Sequence, residues 1–558
     1  MTAGWIEPPA VKAAEGGITM ATHLYINGKV FTGRGEDDFA TAFRITDGAF
    51  TWVGDQSEVG AELATDLQGK TVLPGLLDVH THPAFMSTLV DAVACLPPQV
   101  TSLAGLIEKL RSHPNLGKGD NLWIEGYGYD ESRYPERRHP TAKDLDQIST
   151  TQPIFVGRCD GHSAVCNTRA LQLASITRDT PDPDGARYER DAAGEPTGIL
   201  TELAASNGVL AAKPPPDYDE QVAHLTRLNE HFLERGIVAV DDLLATLVET
   251  PLQMFRDAQK RGFVPQCALY YDWTELMANP VPDLTDDDRT GLVKFAGVKL
   301  FMDGAYTNRT AWTQDPYPTS SDHGMRALSD EEMGKAVQWA RRNRVQVAFH
   351  AMGDQALNHI IDMFAADEPW MGELPSIRLD HATLFSRVMM DRINNARMSF
   401  AVVSHTIFFF AEYDSYANNL SESQFQIAYP IRSFYEQVPC CALSSDTPAT
   451  AWADADNVFV SVKAAVLRRA YNGADIGQAE AISVPQALML YTGRARLVSA
   501  LDRVGLIEDG YEGSFVVLDR DVFTISAHEI DQVQVAETWV RGVKVYQRAS
   551  DAAVAHPD

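Results

Sequence analysis

Short apolar runs alternate with longer stretches of helical periodicity through most of this chain, from about residue 71 to about residue 497. Residues 330–343 and 355–364 are examples of the helical pattern, in which apolar positions recur every three or four residues. Strands that alternate with helices form parallel sheets, because each helix returns the chain to the same end of the sheet. The pattern therefore predicts repeated βα units and a parallel sheet.

The two ends of the chain have a different pattern. Residues 23–32 and 49–54 near the start, and residues 513–518 and 537–547 near the end, are short and strand-like. Asn27-Gly28 supplies a tight-turn signal between the arms of the first strand pair. We expect the strands from both ends to share one small β-domain.

The segment 84–213 does not follow the βα rhythm. It is rich in Pro and Tyr, and its stretch 179–198 is rich in Asp and Gly, as exposed loops are. We interpret the segment as an insertion. The predicted organisation is an N-terminal β part over 1–72, a βα part over 73–497 that contains the insertion, and a C-terminal β part over 498–558.

Composition and charge exclude some classes of partner. A chain of 558 residues is long enough for three or four domains, or for one large α/β barrel with an insertion. It carries 47 Lys and Arg against 76 Asp and Glu, which is a formal net charge of −29. Nucleic acids and anionic membranes are bound mainly through Lys and Arg, so we expect neither as a partner.

The cysteines and the apolar runs indicate the compartment. The six cysteines form no C-x-x-C pair and no repeated spacing, which argues against a disulfide framework and against a Cys-rich zinc site. No apolar run approaches the roughly 18 residues of a membrane helix, and residues 1–18 do not resemble a signal peptide. We expect a cytoplasmic protein with a loose extension over its first 19 residues.

Reactive side chains stand inside or directly after five of the apolar runs. This position is informative, because in a (β/α)₈ barrel the reactive residues stand at the C-terminal ends of the strands. The residues are His80, His82, Lys299, His350, His381 and Asp446.

His80 and His82 are two residues apart, so in a strand they project to the same face and can bind one metal ion as neutral imidazoles. Two polar histidines that merely leave a strand are the alternative. His350 and His381 would each be interpreted singly as structural histidines. Together the four histidines supply four nitrogen ligands, enough for two metal ions if another group bridges them.

Lys299 lies within the apolar run 295–301. An ammonium group pays a large desolvation penalty there, so this lysine should be neutral, ion-paired or chemically changed. If CO₂ adds to the neutral amine, the resulting carbamate is an anionic oxygen ligand that can bridge two metal ions. The alternative is a lysine that points out of the sheet towards solvent. Lys294, five residues earlier, is expected to be the surface lysine.

Asp446 stands in Ser444-Ser445-Asp446-Thr447-Pro448, after another apolar run. A carboxylate at this position can bind metal weakly, accept a proton from a bound water and deliver it to a leaving group. The alternative is an aspartate that caps a helix, because Asp before Thr-Pro often opens one.

At these residues the sequence resembles the amidohydrolase superfamily, specifically its YtcJ-like or amidohydrolase-3 branch, which includes N-substituted formamide deformylases. The resemblance extends from about residue 23 to about residue 547. The matching stretches are LPGLLDVHTHP (73–83), VKLFMDGAYTNRTA (298–311), AFHAMGDQAL (348–357), RLDHATL (378–384), SSDTP (444–448) and EGSFVVLDRDVF (512–523).

The resemblance implies an α/β fold, with a (β/α)₈ TIM-like barrel, a small β-sandwich formed by both termini and an insertion after the first barrel strand. It also implies one or two divalent metal ions, usually zinc. The roles that it implies are metal ligation by His80, His82, His350 and His381, a carboxylated ligand at Lys299, and acid/base catalysis with metal contact at Asp446.

The chain departs from the branch after the seventh strand, where the branch often has Gln-Pro and this chain has Ser404-His405-Thr406. We expect His405 to hydrogen-bond substrate or to support the metal ligands, with a structural loop histidine as the alternative. Asp160-Gly161-His162, in the insertion, also resembles a recurrent stretch of the branch and can reach into the pocket if the insertion folds over it.

Aromatic residues in the insertion and after strand seven are candidates for a hydrophobic cleft, although we expect at least half of them to be core. They are Trp123, Tyr127, Tyr129, Tyr134, Phe408, Phe409, Phe410, Tyr413 and Tyr416. The predicted substrate-binding residues are His162, Asp303, His405, Trp123 and Tyr129.

The predicted function is hydrolysis of an amide-like carbon–nitrogen bond, such as that of an N-substituted formamide, by a water that a metal activates. One alternative is a deaminase or a hydrolase of cyclic amides, esters or lactones on the same scaffold. Another is a binding or regulatory protein that keeps the fold without turnover. The expected partner is a small-molecule substrate, and a homo-oligomer is possible.

Overall fold

The computed structural model describes residues 22–60, 63–159, 161–281 and 283–549. The loose extension predicted for the first 19 residues lies outside these ranges, as does Asp160. No helix in the described ranges has the length and apolar character needed to cross a bilayer.

Strands and helices are numbered in chain order. The strands are β1 (Thr22–Ile26), β2 (Lys29–Phe31), β3 (Phe39–Ala40), β4 (Ala42–Thr46), β5 (Ala49–Gly54), β6 (Ala64–Asp66), β7 (Thr71–Pro74), β8 (Leu76–Thr81), β9 (Val93–Ala94), β10 (Ile124–Tyr129), β11 (Ile154–Arg158), β12 (Ala164–Cys166), β13 (Arg187–Arg190), β14 (Pro196–Thr201), β15 (Ile237–Asp242), β16 (Gln266–Asp272), β17 (Val293–Phe301), β18 (Gln346–Ala351), β19 (Ile377–His381), β20 (Phe400–Ser404), β21 (Cys441–Leu443), β22 (Phe515–Leu518), β23 (Val535–Val540) and β24 (Val543–Gln547). The helices are α1 (Pro83–Thr88), α2 (Leu103–Arg111), α3 (Ala142–Leu145), α4 (Thr168–Leu173), α5 (Leu203–Leu210), α6 (Tyr218–Glu234), α7 (Pro251–Lys260), α8 (Trp273–Ala278), α9 (Asp330–Asn343), α10 (Asp354–Phe364), α11 (Arg387–Asn394), α12 (Thr406–Ala411), α13 (Tyr413–Asn419), α14 (Glu422–Ile427), α15 (Ile431–Gln437), α16 (Val458–Leu467) and α17 (Val484–Met489).

Eight strands, β8 and β15–β21, form one sheet in which every hydrogen-bonded ladder is parallel and the neighbours follow chain order. The predicted (β/α)₈ barrel fold is thereby confirmed. In the register of this sheet, Phe301 lies opposite His350 and Ala351 lies opposite His381. Side chains at the C-terminal ends of neighbouring strands are therefore close to one another.

Side-chain hydrogen bonds join the first barrel strand to the segment after the last one. The buried Asp78 carboxylate of β8 accepts hydrogen bonds from the hydroxyl groups of Ser444 and Ser445 and from the Ser445 backbone N–H. The backbone N–H of Asp446 donates to the His80 carbonyl at 2.8 Å. These bonds connect the two edges of the barrel sheet.

The two ends of the chain form a β-sandwich, as predicted. One sheet has the order β5-β4-β1-β6 and the other has the order β24-β23-β22-β7-β2-β3, so the second combines strands from both ends. Aromatic rings fill the core between the sheets: Tyr25 stacks on Phe43 with ring centroids 4.8 Å apart, and Phe515 meets both.

A second compact unit comprises Met86–His224 and Pro448–Asp454. It contains the sheet β13-β14-β12-β11-β10-β9 and its own apolar core. The segment 84–213, predicted as the insertion, lies almost entirely within this unit. The exact domain boundaries of the sequence analysis stay a prediction.

Arg378 is fully buried inside the barrel, on β19. Its guanidinium donates to Asp241 at 2.5 Å, to the Val79 carbonyl at 2.6 Å and to Asp380 at 3.3 Å, and it lies over the ring of Tyr270. A cation in an apolar barrel requires this density of acceptors, because an unpaired buried charge is very costly.

Lys294 corrects one expectation. It is buried rather than on the surface, with 2% of its area exposed. Its ammonium group pairs with Asp502 and donates to the Ala500 carbonyl at 3.0 Å. The bonds form to a segment more than 200 residues away in sequence, so local pattern could not indicate them.

Replacing Arg378 with Met is expected to lower the free energy of unfolding by about 3–5 kcal/mol, because Asp241 and Asp380 would lose their buried partner. Arg432→Met is the control, since Arg432 forms an exposed i,i+4 pair with Glu436 and should cost much less. Urea unfolding followed by tryptophan fluorescence measures both. Equal losses for the two variants would contradict the role given to the buried arginine.

Candidate active site

The reactive residues predicted at the strand ends come together at the C-terminal end of the barrel. All are buried, except that 13% of the His350 side chain is exposed. They are His80 in β8, His82 just after β8, Lys299 in β17, His350 in β18, His381 at the end of β19, His405 just after β20 and Asp446 three residues after β21.

Four of these residues form the centre of the group. One ligand atom each from His80, His381, His405 and Asp446 lies within 4.8 Å of the other three. The ring centroids of His80 and His381 are 4.9 Å apart, and the His405 centroid is 5.0 Å and 4.8 Å from them. The centre therefore consists of three imidazoles and one carboxylate.

Asp446 contacts histidines with both carboxylate oxygens. Its Oδ1 atom is 2.7 Å from Nε2 of His82 and 3.5 Å from Nε2 of His80. Its Oδ2 atom is 3.8 Å from Nδ1 of His381. Burial alone would raise the pKa of the Asp446 carboxyl, but His80 and the hydrogen bond from His82 outweigh burial and hold that pKa below its usual range. Asp446 is therefore ionised at neutral pH.

Lys299 points into the site. Its Nζ atom is 3.4 Å from Nε2 of His80 and 3.7 Å from Oδ2 of Asp380, and 1% of the residue is exposed. A lysine pointing outward to solvent is thus the wrong alternative. Burial lowers the pKa of Lys299 to about 8, although Asp380 and Asp446 oppose the shift.

His350 is held by the loop that follows β17. Its Nε2–H donates to the Gly304 carbonyl at 3.1 Å, and its ring centroid is 4.2 Å from that of His381. Burial lowers the pKa of His350 to about 4. The pKa values of His80 and His381 also lie well below the ordinary value, with burial as the largest cause. These histidines are neutral, which is the form that binds metal.

Asp303, predicted to bind substrate, accepts three backbone hydrogen bonds from Trp312, Met352 and Gly353 at 2.8–3.0 Å. Burial raises its pKa to about 7 against these donors. The carboxylate thereby joins the loop after β17 to the turn after β18, and its Oδ1 atom lies 3.8 Å from Nε2 of His350. Its contact with substrate stays a prediction.

The backbone departs from ordinary geometry at the site. His381, Ala382 and Asp446 have φ values of 70°, 45° and 57°, in the left-handed region that residues with a Cβ atom seldom adopt. Each such residue costs on the order of 1–3 kcal/mol, and such residues concentrate at functional sites. Asp446 is therefore not a helix cap, because its φ is positive and the next helix, α16, begins only at Val458.

The donor set fits a divalent metal ion. The ring atoms His82 Nδ1, His381 Nδ1 and His405 Nε2 are buried and have no hydrogen-bond partner among the described residues. Neutral imidazole nitrogens beside an ionised carboxylate are the ligands that zinc and similar cations bind. A buried His/Asp group suited to a divalent metal ion is thus present at the barrel mouth.

Three predicted substrate-binding residues lie in the second unit. Trp123 and Tyr129 are buried in that unit's own core, where the Tyr129 hydroxyl contacts His139 at 3.2 Å. The His162 side chain is about half exposed and its Nδ1 atom lies 3.2 Å from Glu202. Contact of these three residues with substrate stays a prediction.

Sequence reasoning missed Asp380 and Arg378. Asp380 Oδ2 lies 3.0 Å from Nδ1 of His80, and Arg378 in turn contacts Asp380. Both stand before His381 in the stretch RLDH. Arg378 and Asp380 are two residues apart, so their side chains lie on the same face of β19. A pair of opposite charges at that spacing in an apolar strand was the available signal.

Comparison with known proteins gives consistent results. A family model described as "Amidohydrolase family" matches residues 64–546, well over half of the chain. N-substituted formamide deformylase of Arthrobacter pascens is 26% identical over 543 residues, which cover 94% of this chain and 98% of that protein. YtcJ of Bacillus subtilis is 27% identical over 549 residues, which cover 94% and 99%.

Among solved structures, an uncharacterized metal-dependent hydrolase from Pyrococcus horikoshii has the same fold, with a TM-score of 0.70. It is 24% identical, and the match covers 91% of this chain and 99% of that one. The chain therefore belongs to the amidohydrolase family, and it is a hydrolase that acts on carbon–nitrogen bonds.

Proposed function

We propose that this hydrolase depends on one or two divalent metal ions, zinc in the first place, and that it cleaves N-substituted formamides. The observation that carries the proposal is the ionised Asp446 carboxylate buried among neutral histidines at the C-terminal end of the barrel. The relative named N-substituted formamide deformylase supports the substrate class.

The residues that would hold the metal are His80, His82, His350, His381 and Asp446, and Lys299, once carboxylated by CO₂, would add an anionic oxygen ligand. A bound metal ion would supply an activated water and would polarise the substrate carbonyl. The lowered pKa of Lys299, about 8, leaves roughly one lysine in ten neutral at pH 7, and the neutral amine is the form that adds CO₂. Its Nζ atom beside His80 is suitably placed for this role.

Asp446 is the proposed acid/base. As an ionised carboxylate it can accept a proton from the attacking water and later deliver it to the departing nitrogen. His82, at 2.7 Å, orients the carboxylate. Asp446 and His82 are buried, and burial strengthens the electrostatic contact between them. Such contacts stabilise the charges that develop during proton transfer.

Two aromatic rings beside the histidines support an apolar group on the substrate nitrogen. Phe408 stacks near His381 and His405, with centroids 5.9 Å and 5.1 Å away. Phe301, two residues after Lys299 on the same strand, keeps 37% of its area exposed although its ring is 5.4 Å from that of His350. An exposed ring at the mouth of a polar site is a suitable surface for an aryl or alkyl substituent.

Replacing Asp446 with Asn is expected to lower kcat for N-benzylformamide by about 10²–10⁴-fold, because an amide cannot accept the proton. Metal content, measured by elemental analysis, should fall much less than turnover, because the histidine ligands remain. Asp362→Asn is the control, since Asp362 is an exposed partner of Arg392. Turnover near the wild-type rate in Asp446→Asn would exclude the acid/base role.

Reconstitution of metal-free enzyme with zinc should require bicarbonate and should improve as pH rises through about 8. Below that pH the Lys299 ammonium dominates and cannot add CO₂, whereas above it the amine is mostly neutral. Recovery of formamide hydrolysis with and without bicarbonate measures the effect. Lys299→Arg, which cannot form the carbamate, should show no response; an identical response in wild type and variant would refute the carbamate.

Phe408→Ala is expected to reduce the ratio of kcat/KM for N-benzylformamide over N-methylformamide about tenfold, because lost apolar contact costs about 1.5 kcal/mol. Phe425→Ala is the control, since that ring packs on Phe409 instead. An unchanged ratio would exclude Phe408 from the substrate pocket.

A panel of other substrates tests the alternative reactions on the wild-type enzyme. Opening of a cyclic amide or lactone, or release of ammonia from an amino-heterocycle, would indicate one of these reactions.

A further inference from the structure

We propose that His405 is a metal ligand through its Nε2 atom, a role that the family resemblance does not assign to this position. The inference rests on the proposed function, in which the site binds a divalent cation. It concerns which side chains of this chain hold that cation.

His405 lies at the same end of the barrel as the other candidate metal ligands, directly after a strand. It is the first residue after β20, at the C-terminal end of the barrel, and it is completely buried. Its ring centroid lies 5.0 Å from that of His80 and 4.8 Å from that of His381. One of its nitrogens belongs to the group of four ligand atoms within 4.8 Å of one another.

The hydrogen bond at the other ring nitrogen determines the tautomer. His405 Nδ1 lies 3.0 Å from the Ser444 carbonyl oxygen, which can only accept, so the Nδ1 atom carries the proton. In the neutral ring this leaves a lone pair on Nε2. That atom is buried and has no hydrogen-bond partner in the part of the chain that the structure describes. Metal-binding histidines commonly donate their second ring N–H to a backbone carbonyl in this way.

The ring is also held at its Nδ1 edge and on one face. Ser444, whose carbonyl accepts the hydrogen bond, is itself fixed by its hydroxyl bond to Asp78. Phe408 stacks on the His405 ring with planes 30° apart. A side chain that only filled space in a loop would need neither a fixed tautomer nor a buried, unpartnered nitrogen in a ring beside three other candidate ligands.

The consequence is a centre of three imidazoles and one carboxylate, from His80, His381, His405 and Asp446. The three imidazoles would supply the three protein ligands of a catalytic zinc site, with the Asp446 carboxylate beside the position that stays open for water. His82, Lys299 and His350, the other proposed ligands, each contact a member of this centre, so a second ion could be held beside it.

The test uses the full chain, stripped of metal with a chelator and titrated with Co²⁺, whose visible absorption reports the ligand set. We expect His405→Ala and His405→Gln each to weaken Co²⁺ binding at least tenfold in competition with a chromophoric chelator, and to change the absorption spectrum. His113→Gln is the matched control, because His113 is a buried histidine of the second unit bonded to the Asp91 carbonyl.

The inference would be overturned if both His405 variants bound Co²⁺ with wild-type affinity and an unchanged absorption spectrum. If KM for substrate alone changed in these variants, His405 would be a substrate contact. A crystal structure of the zinc-loaded wild type gives a reading that needs no variant. Nε2 within about 2.0–2.1 Å of the metal supports ligation, and a separation beyond about 3 Å contradicts it. Failure of the wild type to bind Co²⁺ or Zn²⁺ would instead refute the metal-dependent function itself.

Discussion

The closure of the barrel between β8 and the segment after β21 is the constraint on which the site depends. His80 and Asp446 are separated by more than 360 residues, yet the Asp78 carboxylate and the hydroxyls of Ser444 and Ser445 hold their backbones together. Burial raises the pKa of Asp78 to about 6 although the two serines oppose it. The residues that close the sheet therefore stand next to His80 and Asp446 in sequence, and the fold and the candidate site share one set of contacts.

Buried ion pairs next to the site hold its side chains in position. Arg378 holds Asp380, and Asp380 in turn contacts both His80 and Lys299. In an apolar interior these charges remain only because each has an opposite partner, and the partnership fixes the direction of each side chain. The left-handed backbone conformations of His381 and Asp446 are energetically unfavourable, and they direct neighbouring side chains into the same site.

The fold was predictable because it depends on repeated local patterns. Alternating apolar runs and amphipathic helices indicate a parallel barrel, and reactive residues after the runs indicate its C-terminal end. Lys299 and Lys294 show where this reasoning stops. Both lie in one strand and both are buried, but one faces the histidines and the other reaches Asp502, a partner more than 200 residues away. Strand periodicity indicates which face of the sheet a side chain lies on, but it does not indicate which residue the side chain will contact.

By itself, then, the sequence determined the succession of βα units, the sandwich from both ends, and the set of histidines, lysine and aspartate at the strand ends. Only the tertiary structure decided which of them meet. Asp380 and His381 are adjacent and would face opposite sides of a regular strand, yet both approach His80, because the backbone turns left-handed at His381. His405 likewise acquired its fixed tautomer from a carbonyl on another strand end, and such contacts arise only when distant segments pack.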